Sequence, residues 1–127
     1  MPYLPRPEKK IVSNFQSMSR KRFYNLLVWK HVRDVQIIEQ PYCIACFAQG
    51  ILTDCTKGGH VDHIIGITAG GAPLDPANLW TLCPPHSAKK TALESHGLQV
   101  DGFGPPGSMV PTEQAKKRIL ELLTKKA

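Results

Sequence analysis

Two short spacings could do chemistry in this chain: Cys43-x2-Cys46 and, well downstream, Cys83-x2-His86. Residues three apart in a tight turn can both reach one tetrahedral ion, and thiolate with imidazole is the donor set that zinc prefers. The plain alternative, cysteines scattered as small core hydrophobes, does not account for two such pairs in one small chain. Disulfides belong to an oxidising compartment; in a reducing one, close spacing reads as metal ligation. Cys55, alone in a separate loop, is the weaker choice of fourth ligand in place of His86. Between the pairs lies Val61-Asp62-His63-Ile64. At a strand end Asp62 and His63 project to opposite faces, so one can hold a cation while the other addresses a water or a phosphate. Imidazole near neutrality can take a proton from water, and a carboxylate is a hard ligand for a divalent ion. A lone Asp-His dipeptide is weak evidence, and it gains weight here because a metal frame brackets it.

The elements that must position these residues follow from patterning. The chain has 127 residues, enough for one domain with tails. With 42% hydrophobic residues but only 7% aromatic, and 11 Pro and 10 Gly, its core is small and needs a staple. A structural zinc, contributing on the order of 10 kcal/mol in small modules, would supply one. Residues 1–18 lack periodicity and read as a flexible basic arm. Residues 19–39 read as one helix, with Tyr24, Val28, Val32 and Val35 at helical spacing and Phe23 and Leu27 beside them. Pro41 ends it and introduces the first cysteine pair. A strand is expected from His60 to Ile65, a loop that cannot be helical from Gly66 to Ala77, a second strand from Asn78 to Leu82, and a helix from Cys83 to about Glu94 or His96 with Gly97 as its stop. Residues 97–110 read as a Gly/Pro linker, and 111–125 as a terminal helix that docks on the body.

Sixteen Lys and Arg against ten Asp and Glu give +6, which favours polyanionic partners, nucleic acid first and anionic membrane second. Eight of the sixteen basic residues lie within the first 33 positions, the crowding that phosphate contact by Arg20, Lys21 and Arg22 requires. No apolar run approaches the roughly 20 residues of a membrane span, and the N-terminus lacks a signal peptide's apolar stretch, so an intracellular protein is expected.

Taken together, Cys43-x2-Cys46, Val61-Asp62-His63-Ile64-Ile65, Gly70-Gly71, Asp75-Pro76-Ala77-Asn78-Leu79, Leu82-Cys83-x2-His86 and Lys90-Thr91 resemble the HNH endonucleases of the ββα-metal fold, above all the small zinc-containing phage type. The lead-in Phe23-Tyr24 with Trp29 and Arg33 also resembles the helix before the knuckle in those proteins. The resemblance covers about residues 22–95. It implies an α+β chain: a small ββα-metal domain with a structural zinc knuckle over 19–96, entered by an N-terminal helix and followed over 97–127 by the linker and a C-terminal helix. It implies an endodeoxyribonuclease that hydrolyses phosphodiester bonds with low sequence preference. His63 is then the general base, Asp62 a ligand of the catalytic cation (Mg²⁺, Mn²⁺, Ni²⁺ or Zn²⁺), and Asn78 the residue that braces the loop and orients the base. Cys43, Cys46, Cys83 and His86 are then the structural zinc ligands. DNA is the implied partner, held through its backbone, with Lys89 and Lys90 on neighbouring phosphates. The setting that the resemblance implies is the cytoplasm of a bacterial or phage-infected cell, with phage packaging proteins among the partners such a module can have.

The departure lies at Ser87, where the family has a histidine that holds the catalytic cation; Lys90-Thr91 fixes the register. A hydroxyl is a poorer ligand than imidazole. Three readings follow: Ser87 holds the cation weakly or through water, His86 serves it and leaves zinc to three cysteines with Cys55, or His60 fills the gap from the strand face of Asp62. The favoured combination is an intact knuckle with a weakened catalytic site. The alternative function is a zinc-bound DNA-binding module that has lost catalysis.

Overall fold

A computed structural model of the chain describes residues 18–125; apart from Met18, the expected basic arm lies outside the described residues. The elements are α1 (Arg20–Tyr24), α2 (Leu27–Glu39), α3 (Ile44–Phe47), β1 (His60–His63), β2 (Leu79–Leu82), α4 (Pro84–Ser95), β3 (Gly102–Phe103), β4 (Val110–Pro111) and α5 (Glu113–Thr124), with 3-10 turns at Ile67–Ala69 and Pro76–Asn78. The architecture is a small α+β arrangement with two antiparallel two-stranded sheets, β1 with β2 and β3 with β4. None of the helices is long and apolar enough to cross a membrane among the described residues.

The single helix expected over 19–39 is broken. Ser19 caps α1 by accepting from the Arg22 amide, Asn25 closes it, and Leu26 is extended before α2 begins. The break turns Phe23 and Trp29, six residues apart and out of helical phase, into one buried cluster with Leu79. Most of the positions at helical spacing lie open instead: Leu27 is 83% exposed and Val28 and Val35 are exposed too, while Val32 packs on the cluster and the Tyr24 ring meets Phe23 and Trp29. Two large rings bury more apolar area than the valines they displace, and the kink is what lets both reach the sheet.

β1 and β2 pair from His60 opposite Leu82 to His63 opposite Leu79. The main core sits beneath β2: Ile64, Trp80 and Leu82 pack with the cysteines and with Ile119 and Leu123 of α5. α2 covers the free edge of β2, where the Thr81 amide donates to Gln40 Oε1 at 2.9 Å, so a buried backbone donor is satisfied without a third strand. The terminal helix is capped by Thr112 and does dock on the body. The presumed linker holds the β3–β4 ribbon, which two-residue strands in a Gly/Pro-rich segment give no periodicity to announce.

Candidate functional site

The turn after α2 and the start of α4 converge on one point. Cys43 caps α3, its sulfur accepting from the Cys46 amide at 3.4 Å, and Cys83 is the residue before Pro84 opens α4. The donor atoms of Cys43, Cys46, Cys83 and His86 all lie within 4.8 Å of one another. Zinc bonds of about 2.3 Å to sulfur and 2.0–2.1 Å to nitrogen give a tetrahedron with edges of about 3.8 Å between sulfurs and about 3.5 Å from sulfur to nitrogen. Cys46 Sγ and Cys83 Sγ are 3.8 Å apart, and His86 Nδ1 is 3.6, 3.5 and 3.2 Å from the sulfurs of Cys43, Cys46 and Cys83. The residues therefore fit a tetrahedral ion of zinc's size. Cys55 is buried but stands outside the group, and His86 is committed to the sulfurs.

Burial pushes the Cys83 thiol up to about 12, while hydrogen bonds from the backbone and thiols of Cys83 and Cys46 overcome burial and bring Cys43 below its ordinary value. Burial, with Lys89 beside it, lowers His86, keeping the imidazole in its neutral, ligating form.

The β1 side chains alternate. Toward α4, Asp62 lies beside a cleft of about 760 Å³ that Arg20, His60, His63, Ser87 and Glu94 also line. Asp62 Oδ2 accepts from Trp80 Nε1, its cross-strand partner, and from Lys90 Nζ, each at 2.9 Å. Burial pushes the Asp62 carboxyl above its ordinary value, against the opposing pull of Lys90 and Trp80. Toward α1 and α2, His63 stacks on Trp29, with centroids 4.8 Å apart and planes 29° from parallel, and meets the ring of Phe23. Its Nε2 lies 2.9 Å from the Pro73 carbonyl oxygen, an acceptor only, so this nitrogen carries the proton and Nδ1 keeps the lone pair. Burial lowers the His63 pKa, and the Lys90 charge adds to it, against the Pro73 bond.

Asn78 ties the intervening loop shut. Its Oδ1 accepts from the Ile65 amide at 2.8 Å, and its Nδ2 donates to the carbonyls of Ile65 and Ala72, each at 2.9 Å. A Cβ at Gly71 would meet the Ile65 carbonyl and Asn78 Nδ2, so only glycine lets the chain pass so close. The Ala72 carbonyl precedes the Pro73 carbonyl that His63 uses, and Asn78 thereby fixes the acceptor of His63 at one remove. Asn78→Ala leaves one buried donor and two buried acceptors unpaired, and a loss of about 3 kcal/mol is expected. It is read as a lower urea midpoint with the slope unchanged.

Two expectations are corrected. Lys90 cannot sit on an external phosphate: it is 0% exposed and its ammonium faces Asp62, Glu94 and the His63 carbonyl. Lys89 is also engaged, donating to the carbonyls of Leu123 and Lys125 and so capping the end of α5. Arg20 lines the cleft, Lys21 and Arg22 are exposed on α1, and His60 and Ser87 reach the cleft rim. Among the described residues, no group of three or more His, Cys, Asp or Glu apart from the Cys3His set is close enough to hold a metal. The cleft thus offers Asp62 with His60, Ser87 and Glu94 along its lining and no complete protein ligand set among them. Sequence reasoning missed Trp80 and Glu94. Glu94 had a signal, its i, i+4 spacing from Lys90.

No protein-family model, curated protein or solved structure matches the chain.

Proposed function

We propose that the chain is an endonuclease of the HNH kind that nicks or cleaves DNA through its backbone, with β1, β2 and α4 as a ββα framework and zinc as the ion of the Cys3His cluster. The observation that carries the reading is His63. It is a neutral, buried imidazole on a cleft wall, one nitrogen protonated onto the Pro73 carbonyl and the other bearing a lone pair, one residue from a carboxylate on the opposite strand face. That is the equipment of a general base. In the reaction, His63 Nδ1 takes the proton of the attacking water while Trp29 and Pro73 hold the ring in place, and Arg20 holds a phosphate at the cleft. A divalent cation on Asp62, when bound, would offset charge on the scissile phosphate and the leaving 3′-oxygen. The donor set for it in the cleft is incomplete. Phage origin and packaging partners rest on the resemblance alone.

A second reading, a zinc-bound DNA-binding module without catalysis, is favoured by one observation: Asp62 Oδ2 already serves Lys90 and Trp80. Supercoiled plasmid incubated with Mg²⁺, Mn²⁺, Ni²⁺ or Zn²⁺ separates the two. The nuclease reading expects nicking by the wild type, and nicking roughly tenfold or more faster with Ser87→His, since imidazole replaces a hydroxyl as ligand. Salt-sensitive DNA binding with no nicking by either protein under any cation establishes the second reading instead.

A further inference from the structure

Among the described residues Lys90 is the largest fully buried side chain, and the reaction above does not use it. An ammonium has three N–H donors and no acceptor. Three oxygens surround this one: Asp62 Oδ2 at 2.9 Å, Glu94 Oε2 at 2.9 Å and the His63 carbonyl at 3.0 Å. All three donors are therefore matched, and a charge that would be prohibitive in isolation is tolerated with no exposure to water. The cage is built from both sides of the site: β1 supplies the Asp62 carboxylate and the His63 carbonyl, and α4 supplies Glu94 one turn beyond Lys90 itself. Trp80 Nε1 pins Asp62 Oδ2 from across the sheet, so this oxygen does not depend on Lys90 alone for its position.

Two carboxylate oxygens and a backbone carbonyl converging on one point form a hard-oxygen donor set, of the kind divalent cations take. Here a cation does occupy it, tethered to the chain. We propose that this oxygen cage is a divalent-cation site that the Lys90 ammonium fills and keeps closed, so that Lys90 acts as a positioning residue holding Asp62 and the end of β1 against α4. The cage accounts for the incomplete ligand set in the cleft: the Asp62 oxygen that faces α4 is already satisfied by an internal charge. The proposal does not depend on the nuclease reading, because its readout is metal binding.

The test is a Mn²⁺ titration, followed by electron paramagnetic resonance, of the zinc-loaded wild type, Lys90→Met and Lys90→Met/Glu94→Gln. Methionine fills the space of the lysine stem without its charge. Lys90→Met is expected to gain one Mn²⁺ per chain, bound about tenfold or more tighter than any in the wild type. The added Glu94→Gln is expected to abolish the gain. A folded Lys90→Met that titrates like the wild type, or a gain that survives in the double variant, overturns the proposal. Should Lys90→Met fail to fold alone, recovery of cooperative melting on adding Mn²⁺ supports the cage, and failure of Mn²⁺ to restore it counts against it.

Discussion

Chelation of the metal from the Cys43, Cys46, Cys83 and His86 group is expected to unfold the domain. The three cysteines belong to the main core with Trp80, Leu82 and, from α5, Ile119 and Leu123, so an ion held by the group would be bonded to residues that apolar packing also needs. Structural zinc contributes on the order of 10 kcal/mol in small modules, and a domain of this size has a net stability of about 5–15 kcal/mol. Removing the first is enough to exhaust most of the second. Near-ultraviolet circular dichroism and the cooperative thermal transition should both be lost with a strong chelator and return with added zinc. Cys83→Ser should reproduce the loss. Cys55→Ser is the control: it keeps the metal and costs only about 1–2 kcal/mol, for a hydroxyl placed where a buried thiol stood. Equal damage from the two serine variants would show that the four-residue group has no special role.

His63→Ala is expected to lower DNA cleavage by about 10²- to 10⁴-fold, the range for removing a general base, with zinc content unchanged because the ring lies on the opposite face of β1 from α4. Its pH dependence has a sign fixed by burial. The folded pKa lies below the ordinary 6.5, so the neutral base persists at pH values where a free imidazole is already half protonated. The acid limb of kcat/KM is therefore expected below 6.5, with the rate falling as pH drops through the lowered value. Stability shares the direction. A depressed folded pKa means that the unfolded chain binds more protons in the window between the two values, so the contribution is fully present above 6.5 and is lost as pH falls through the folded value. An acid limb at or above 6.5, or cleavage undiminished in His63→Ala, would remove His63 from the reaction.

What could be read in advance divides by how local the cause is. The metal group was legible because each pair sits within one tight turn, so its spacing is a property of the sequence, and the preference for His86 over Cys55 agrees with the group the fold brings together. The first strand and the helix that ends before Gly97 were legible for the same reason: a β-branched run, Pro84 and a positive-φ glycine act within a few residues. The kink at Asn25 and Leu26 was not, because helical spacing favoured Val28 and Val35 while the decisive term was the burial of Phe23 and Trp29 against His63, 40 and 34 residues away in sequence. The two lysines of α4 failed most instructively. A lysine on an amphipathic helix is by default solvated, and the one local feature that distinguishes Lys90, which lies among three oxygens, from Lys89, which caps α5, is Glu94 four residues on. Their partners come from Asp62, His63, Leu123 and Lys125, and the fold alone brings those together.

X-ray absorption at the zinc edge of the purified chain tests most directly whether a three-sulfur, one-imidazole clamp organises this molecule. The expected result is one zinc per chain with three sulfurs at about 2.3 Å and one nitrogen at about 2.0 Å. A chain that carries no zinc, or a shell of four sulfurs with Cys55 in place of His86, would contradict it.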